Sequence, residues 1–213
     1  KNPIISGFTT NPTLMRAAGV TNYREFAQRV LDHIDDKPIS FEVFADDISE
    51  MKKQAIEIAS WADNVNVKIP ITNTKQESTV DLITELTKEG ITCNVTAIFT
   101  IDQVKKLMAG LDNESKVIVS IFAGRIADTG IDPFVIMSES SKIIKNFNNA
   151  ELLWASPREL LNIFQAINSN CDIITVPDNL LSKLNNLGKD LEQFSLETVQ
   201  MFYNDAKKAE YLI

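Results

Sequence analysis

Short apolar runs rich in β-branched residues alternate with amphipathic stretches along the chain, and this alternation limits the possible folds more than any other feature. The runs typical of buried strands are 4–10, 39–45, 65–71, 92–99, 116–122, 152–156 and 172–176. Apolar residues at three- and four-residue spacing predict helices near 22–34, 47–59, 76–89, 101–110, 132–147 and 157–167, and a longer helix over 195–209. Strict alternation of strands and helices predicts a parallel sheet, either open or closed into a barrel.

The spacing of the strands favours a (β/α)8 TIM barrel, in which one strand–helix unit takes roughly 25–30 residues. Such a barrel needs eight strands, and the sequence shows about seven. We therefore expect that a first strand is missing from the numbered chain, which begins with Lys1 close to a strand. An open, doubly wound sheet accommodates seven strands but usually carries a Gly-rich phosphate loop after the first, which is lacking here. Without a Gly/Ser linker or a composition shift, residues 1–213 are predicted to form one barrel domain with an extra C-terminal helix.

Composition excludes several classes of partner. Acidic residues outnumber basic ones by 29 to 21, and no basic block occurs, which argues against binding to nucleic acid or to an anionic membrane. No apolar run reaches membrane-spanning length. Cys93 and Cys171 lie in strand-like contexts and are interpreted as reduced core residues of a cytoplasmic protein. With the single histidine His33 and no clustered cysteines, we expect neither a metal site nor a Ser-His-Asp triad.

Polar residues interrupt the predicted strands, although strands buried on both faces are normally almost all apolar. The interrupting residues are Glu42, Lys68, Asn94, Thr96 and Ser120. Asn94 and Thr96 are two residues apart and so point to the same face of their strand. Each of the five lies toward the carboxyl end of its strand, which is where barrel active sites form. We expect them to meet inside the barrel.

Lys68 is the candidate for chemistry. A buried ammonium is costly unless it is paired or its pKa falls, and a neutral, desolvated lysine amine attacks sugar carbonyls to form a Schiff base. The alternatives are a lysine that reaches solvent at a strand end, and a structural ion pair with Glu42. Ser120 and Thr96, each taken alone, are more typical of hydrogen-bonded structural residues. Five such groups at one end of successive strands nevertheless favour a site over fold stabilisation.

Two arginines add a possible phosphate site. Arg125 follows the strand that ends near 122, and Arg158 follows Ser156, so all three would lie on loops at the same barrel mouth. Arginine binds phosphate through bidentate, charge-assisted hydrogen bonds. The alternative is that each arginine pairs with a local acid, Asp128 or Glu159. The residues alone leave both possibilities open.

The chain resembles the transaldolase family, in particular its short, single-barrel members and the related fructose-6-phosphate aldolases. The matching segments follow the family's order, one per strand, over essentially the whole chain. They are Gly-Phe-Thr-Thr-Asn-Pro (7–12), Phe-Glu-Val (41–43), Val-Lys-Ile-Pro (67–70), Asn-Val-Thr (94–96), Ser-Ile-Phe-Ala-Gly-Arg-Ile (120–126), Ala-Ser-Pro-Arg (155–158) and Ile-Thr-Val-Pro (174–177).

The resemblance implies a role for each candidate. Lys68 would be the Schiff-base lysine that holds the ketose donor, while Glu42 and Thr96 would position the water that shuttles protons. The residues implied to bind the dihydroxyacetone unit are Asn11, Asn94 and Ser120. Those implied to hold the sugar phosphate are Arg125, Ser156 and Arg158. Phe122 would shape the site near the lysine.

Two residues separate the branches of the family. The related aldolases tend to carry glutamine in place of Glu42 and tyrosine in place of Phe122, so both residues favour transaldolase. The resemblance therefore implies transfer of a dihydroxyacetone unit from sedoheptulose 7-phosphate or fructose 6-phosphate to glyceraldehyde 3-phosphate or erythrose 4-phosphate, in the pentose phosphate pathway. The iminium is the electron sink, so no cofactor is expected. The alternatives are a fructose-6-phosphate aldolase and a non-catalytic barrel that binds sugar phosphates.

One departure from the family concerns its acid/base aspartate, which lies on the first strand. No aspartate precedes Asp32 here, so this role has no candidate in the numbered chain. The C-terminal helix carries an apolar set around Phe194, Val199 and Phe202. Because the corresponding helix of short family members reaches a neighbouring subunit, we expect a homo-oligomer.

Overall fold

The fold is known from a computed structural model, which describes residues 3–211. Seven strands lie side by side in chain order within this part of the chain, and all neighbouring pairs are parallel. The strands are β1 (Phe8–Thr9), β2 (Ile39–Glu42), β3 (Val65–Pro70), β4 (Cys93–Ile98), β5 (Val117–Ile121), β6 (Ala150–Trp154) and β7 (Ile173–Ile174). The helices are α1 (Pro12–Ala17), α2 (Tyr23–Leu31), α3 (Ile48–Ala59), α4 (Val80–Lys88), α5 (Ile101–Ala109), α6 (Ala123–Ala127), α7 (Pro133–Ile144), α8 (Leu161–Asn168), α9 (Asp178–Leu181) and α10 (Leu191–Lys208). A 3-10 helix follows α9 over Ser182–Asn186.

The sheet is curled, with its concave face on the inside. The amide of Asn94 on β4 donates a hydrogen bond of 3.0 Å to the hydroxyl of Ser40 on β2, although β3 lies between these strands. Side chains two strands apart meet in this way only on the inner face of a curved sheet. The opposite face carries residues such as Phe41 and Val67, which are fully buried in the main hydrophobic cluster. The architecture is therefore an α/β fold with a curled, all-parallel half-barrel, compatible with a TIM-like barrel.

The edges of the sheet are β1 and β7, each with one strand neighbour in the described residues. The expected missing strand is neither found nor excluded by this arrangement and stays a prediction.

The predicted strands are all found, and six of the seven are shorter than predicted; β6 has the predicted length of five residues but begins and ends two positions earlier. At its carboxyl end, β1 stops at Thr9, one residue before the predicted end, because the Asn11 side chain accepts a hydrogen bond from the N–H of Leu14 and caps α1. The prediction of a C-terminal helix over 195–209 was wrong at its start. That helix begins at Leu191, because the Asp190 side chain caps it by accepting from the N–H of Gln193.

The chain divides into two compact units, one that ends at Val176 and one that begins at Pro177. The sheet and helices α1–α8 belong to the first unit, and α9, the 3-10 helix and α10 to the second. The prediction of a single domain remains a prediction. Across residues 3–211, no helix has the length and apolar character needed to cross a membrane.

Candidate active site

The concave face of the half-barrel brings predicted site residues together. In the register of the parallel strands, Glu42 on β2 pairs with Lys68 on β3, and Lys68 pairs with Asn94 on β4. The period of two along each strand turns these side chains to the same face. No three His, Cys, Asp or Glu side chains gather as metal ligands anywhere in the described part of the chain. The face thus offers an amine, a carboxylate, an amide and hydroxyls.

Lys68 is held between two oxygen atoms at this face. Its ammonium donates a hydrogen bond to the main-chain carbonyl of Thr10 and lies 3.8 Å from the Glu42 carboxylate. The Lys68 side chain is only 15% exposed. Burial lowers the pKa of this amine below its ordinary value, and the Glu42 carboxylate opposes that shift in part. A larger fraction of the amine is therefore neutral, and so nucleophilic, than in an exposed lysine.

Glu42 is buried, and its two carboxylate oxygens have different surroundings. Oε2 accepts a hydrogen bond of 2.6 Å from the Thr10 hydroxyl. Oε1 is buried and has no hydrogen-bond partner among the described residues. The main-chain N–H of Glu42 donates to the Tyr23 hydroxyl at 2.8 Å. A buried carboxylate oxygen without a donor can accept one from water or substrate, which suits a group that relays protons.

Thr10 and Tyr23 are site residues that the sequence analysis missed. Thr10 could have been found, since it stands directly before Asn11 in the Thr-Thr-Asn-Pro segment at the end of β1. Tyr23 gave no signal, because it is the first residue of α2 and reaches the site only through the tertiary fold.

A chain of hydrogen bonds crosses the concave face beside the lysine. The Ser120 hydroxyl donates to Asn94 Oδ1 at 2.6 Å, and Asn94 Nδ2 donates to the Ser40 hydroxyl at 3.0 Å. All three side chains are buried. Ser40 was not predicted, although it lies two residues before Glu42 and therefore on the same face of β2.

Thr96 lies beside an irregularity in β4. The register with β5 shifts between Val95 and Ile98, and Ala97 has a φ of 58°, in the left-handed region. A bulge of this kind re-aims neighbouring side chains and is frequent next to active sites. Among the described residues, no hydrogen bond joins Thr96 to Glu42, so their predicted cooperation stays a prediction.

The loops after β5 and β6 meet where a phosphate site was predicted. The N–H of Gly124 donates to the Ala155 carbonyl, and a Cβ built on Gly124 would lie 1.5 Å from the Ser156 carbonyl oxygen. Only glycine permits this approach. It brings the segment that carries Arg125 against the segment that carries Ser156 and Arg158.

The two arginines have different partners. Arg158 forms a bidentate pair with Asp128, with distances of 3.0 Å from Nε to Oδ1 and 2.5 Å from Nη2 to Oδ2. This is the local pairing that the sequence left open, and both side chains remain about half exposed. The Arg125 guanidinium lies over the Phe122 ring at 5.8 Å from its centre and forms no ion pair with the described residues. Phe122 also packs against Phe99 at 5.8 Å between ring centres.

Asn11 has a structural role in addition to its predicted binding role. Its Oδ1 accepts from the Leu14 N–H at 2.8 Å and caps α1, with Pro12 as the first residue of that helix. Its amide nitrogen is not used by this cap.

Comparisons with known proteins give a consistent result. The family model described as Transaldolase/Fructose-6-phosphate aldolase matches residues 1–213. A probable transaldolase of Dehalococcoides mccartyi is 35% identical over 182 residues, which cover 85% of this chain and 81% of that protein. A probable transaldolase 2 of Listeria monocytogenes is 34% identical over 182 residues, covering 85% and 79%. A probable transaldolase of Methanococcus maripaludis is 35% identical over 186 residues, covering 86% and 81%.

Proposed function

We propose a Schiff-base transfer reaction for this chain, which belongs to the transaldolase/fructose-6-phosphate aldolase family and is an enzyme of the transaldolase type. The proposed reaction moves a dihydroxyacetone unit from a ketose phosphate to an aldose phosphate. The observation that carries the proposal is the desolvated Lys68 amine, placed beside the Glu42 carboxylate on the concave face. Glu42 ends β2 and Lys68 lies in the carboxyl-terminal half of β3, toward the strand ends where barrel enzymes place their chemistry.

Lys68 begins the reaction as a nucleophile. Its neutral amine attacks C2 of the ketose, and loss of water leaves an iminium in which a nitrogen–carbon bond replaces the carbonyl. As the C3–C4 bond breaks, the C4 hydroxyl gives its proton to a base and becomes the aldehyde of the released aldose, and the electron pair of the broken bond moves into the iminium to give an enamine. The enamine carbon then attacks the aldehyde of the acceptor, and water hydrolyses the new iminium to free the amine.

Glu42 is proposed to move the protons that these steps need. Its Oε1 has no donor among the described residues and can bind the water that carries protons to and from the amine. Thr10 fixes the other oxygen, Oε2, so the carboxylate keeps one orientation. Thr96 lies on β4, two strands from Glu42 on β2, and is proposed to hold the same water.

The dihydroxyacetone unit is proposed to be bound by Asn11, Asn94 and Ser120. One of the two N–H groups of the Asn94 amide donates to Ser40, and the second remains to donate to a substrate hydroxyl. Because Ser120 donates to Asn94 Oδ1, it fixes which way that amide faces. The Asn11 amide nitrogen, which the helix cap leaves free, is the second proposed donor.

Arg125, Ser156 and Arg158 are proposed to bind the sugar phosphate. The close approach of Gly124 to Ser156 supports this, since it brings the two arginine-bearing segments together. A phosphate dianion would compete with the Asp128 carboxylate for the bidentate face of Arg158.

Phe122 favours transfer over free cleavage. Its ring has no hydroxyl that could hold or activate a water beside the lysine adduct, so the adduct should survive until an acceptor arrives. The proposed donors are sedoheptulose 7-phosphate or fructose 6-phosphate, and the proposed acceptors are glyceraldehyde 3-phosphate or erythrose 4-phosphate, as in the pentose phosphate pathway. The first alternative is a fructose-6-phosphate aldolase, and the second is a non-catalytic sugar-phosphate-binding barrel.

Three finer features complete the proposal. An eighth strand between the edges β1 and β7 would close the half-barrel and could carry an acid/base aspartate. Exposed apolar residues along α10, among them Phe194, Val199 and Phe202, support a homo-oligomer. Two unpaired cysteines are in keeping with a cytoplasmic location.

The test is a transfer assay with the full-length protein, fructose 6-phosphate as donor and erythrose 4-phosphate as acceptor. We expect acceptor-dependent formation of sedoheptulose 7-phosphate, which Lys68→Met abolishes. Lys53→Met is the matched control, because the Lys53 side chain is 71% exposed. Free dihydroxyacetone released faster than transfer would favour the aldolase. Donor binding without either product would favour the binding barrel.

A further inference from the structure

The hydrogen-bond ladder between β1 and β2 opens beside the proposed reacting groups. The N–H of Thr10 donates to the Ser40 carbonyl, so the regular parallel pattern would next pair the N–H of Glu42 with the carbonyl of Thr10. Instead, the Thr10 carbonyl accepts from the Lys68 ammonium, and the N–H of Glu42 donates to the Tyr23 hydroxyl. Because this one ladder bond is not formed, the Thr10 carbonyl is free to accept from Lys68, and the Glu42 N–H is free to donate to Tyr23.

The Tyr23 ring is fixed by aromatic packing that leaves its hydroxyl at Glu42. The ring packs edge-on against Phe41, Phe44 and Trp61, at 6.0, 4.6 and 5.7 Å between ring centres. Phe41 and Trp61 are themselves in contact at 5.6 Å. Because the ring is held on three sides, its hydroxyl occupies a single position, and no further conformational entropy of the side chain has to be lost to keep it there.

The Tyr23 hydroxyl is a neutral group in contact with a charged one. Burial, reinforced by the Glu42 carboxylate, raises its pKa well above the ordinary tyrosine value, so the hydroxyl keeps its proton at any physiological pH. It accepts a hydrogen bond from the Glu42 N–H, and the negative charge of the nearby Glu42 carboxylate helps to keep its proton in place.

We infer that Tyr23 is a positioning residue, which fixes the main chain at Glu42 and so keeps the Glu42 carboxylate beside the Lys68 adduct. The inference rests on the proposed function, because it assigns Tyr23 an effect on proton transfer through Glu42. Tyr23 acts from α2, outside the strands that carry the reacting groups, and does so without touching the reacting carbon.

The experiment removes only the Tyr23 hydroxyl, with Tyr23→Phe in the full chain. The rate at which borohydride traps the fructose 6-phosphate adduct is measured against donor concentration, in the presence and absence of the Glu42→Gln change. Tyr203→Phe, at an exposed tyrosine of α10, is the matched control. The thermal unfolding midpoint of each variant separates loss of stability from loss of rate.

Tyr23→Phe is expected to lower the maximal trapping rate by roughly ten- to a hundredfold while the half-saturating donor concentration hardly changes. In the Glu42→Gln background, the same change should alter the rate by less than about twofold, because the residue through which Tyr23 acts is already impaired. Equal losses in both backgrounds, or no loss in either, would overturn the positioning role. If the unmodified protein forms no adduct at all, the proposed function itself fails.

A second measurement covers the case in which Tyr23→Phe is too unstable to study. In the unmodified protein, hydrogen exchange of the Glu42 amide should be as slow as that of the neighbouring Val43 amide, which donates to the Lys68 carbonyl. Fast exchange at Glu42 beside slow exchange at Val43 would show that the hydrogen bond to Tyr23 is not maintained, and the inference would fall.

Discussion

The contact between Gly124 and Ser156 gives the sharpest quantitative prediction, through the variant Gly124→Ala. The new Cβ would lie 1.5 Å from the Ser156 carbonyl oxygen and 2.6 Å from its carbonyl carbon, where an ordinary contact begins at 3.4 Å. The two segments must then separate by roughly 2 Å, which moves Arg125 away from Ser156 and Arg158. Overpacking of this kind costs about 1–3 kcal/mol of stability.

The same displacement should weaken the proposed phosphate site. Loss of one charge-assisted hydrogen bond costs about 1.5–3 kcal/mol, so KM for fructose 6-phosphate should rise roughly ten- to a hundredfold. The transfer assay measures KM, and denaturant unfolding measures stability.

A matched control separates displacement from destabilisation. Gly130→Ala makes the same chemical change at a φ of +83°, where no atom lies within 4 Å of the new Cβ. It should cost about 1–2 kcal/mol of stability through backbone strain and leave KM within about twofold of the unmodified value. An unchanged KM in Gly124→Ala, or an equal rise of KM in both variants, would show that the approach of Gly124 to Ser156 does not shape the phosphate site.

Two further predictions concern the lysine and its neighbours. Because burial lowers the pKa of Lys68, adduct formation should increase with pH through a midpoint below the pKa of an ordinary lysine. The Glu42 carboxylate raises the pKa of Lys68, so Glu42→Gln should move this midpoint to a still lower pH. A midpoint that moves to higher pH in Glu42→Gln would contradict this electrostatic explanation. Phe122→Tyr should increase the ratio of free dihydroxyacetone to transfer product several-fold, because a hydroxyl beside the adduct can activate water. Measuring both products by chromatography checks this, and an unchanged ratio would remove Phe122 as the determinant of transfer.

The strands were predictable because their β-branched runs are buried on the convex face, as Val65, Val67 and Ile69 are in β3. The short helices α1 and α6 were not predicted. They have 6 and 5 residues, too few for an apolar repeat at helical spacing to become visible.

The closeness of Glu42 and Lys68 was predictable for a different reason. Glu42 and Lys68 break apolar runs at positions that the period of two turns to one face, and the register places them side by side. Tyr23 could not be found in this way, since its hydroxyl reaches Glu42 across 19 positions of sequence and from a helix. The pairing of Arg158 with Asp128, 30 positions apart, was open for the same reason, because local spacing does not decide between two acids.

The proposed reaction depends on a Schiff base between Lys68 and a ketose phosphate. The most direct test is mass spectrometry of the intact protein and of its peptides after incubation with fructose 6-phosphate and borohydride. We expect one reduced dihydroxyacetone adduct, located on Lys68 and absent from Lys68→Met. A well-folded protein that acquires no adduct, or acquires one on another lysine, would contradict it.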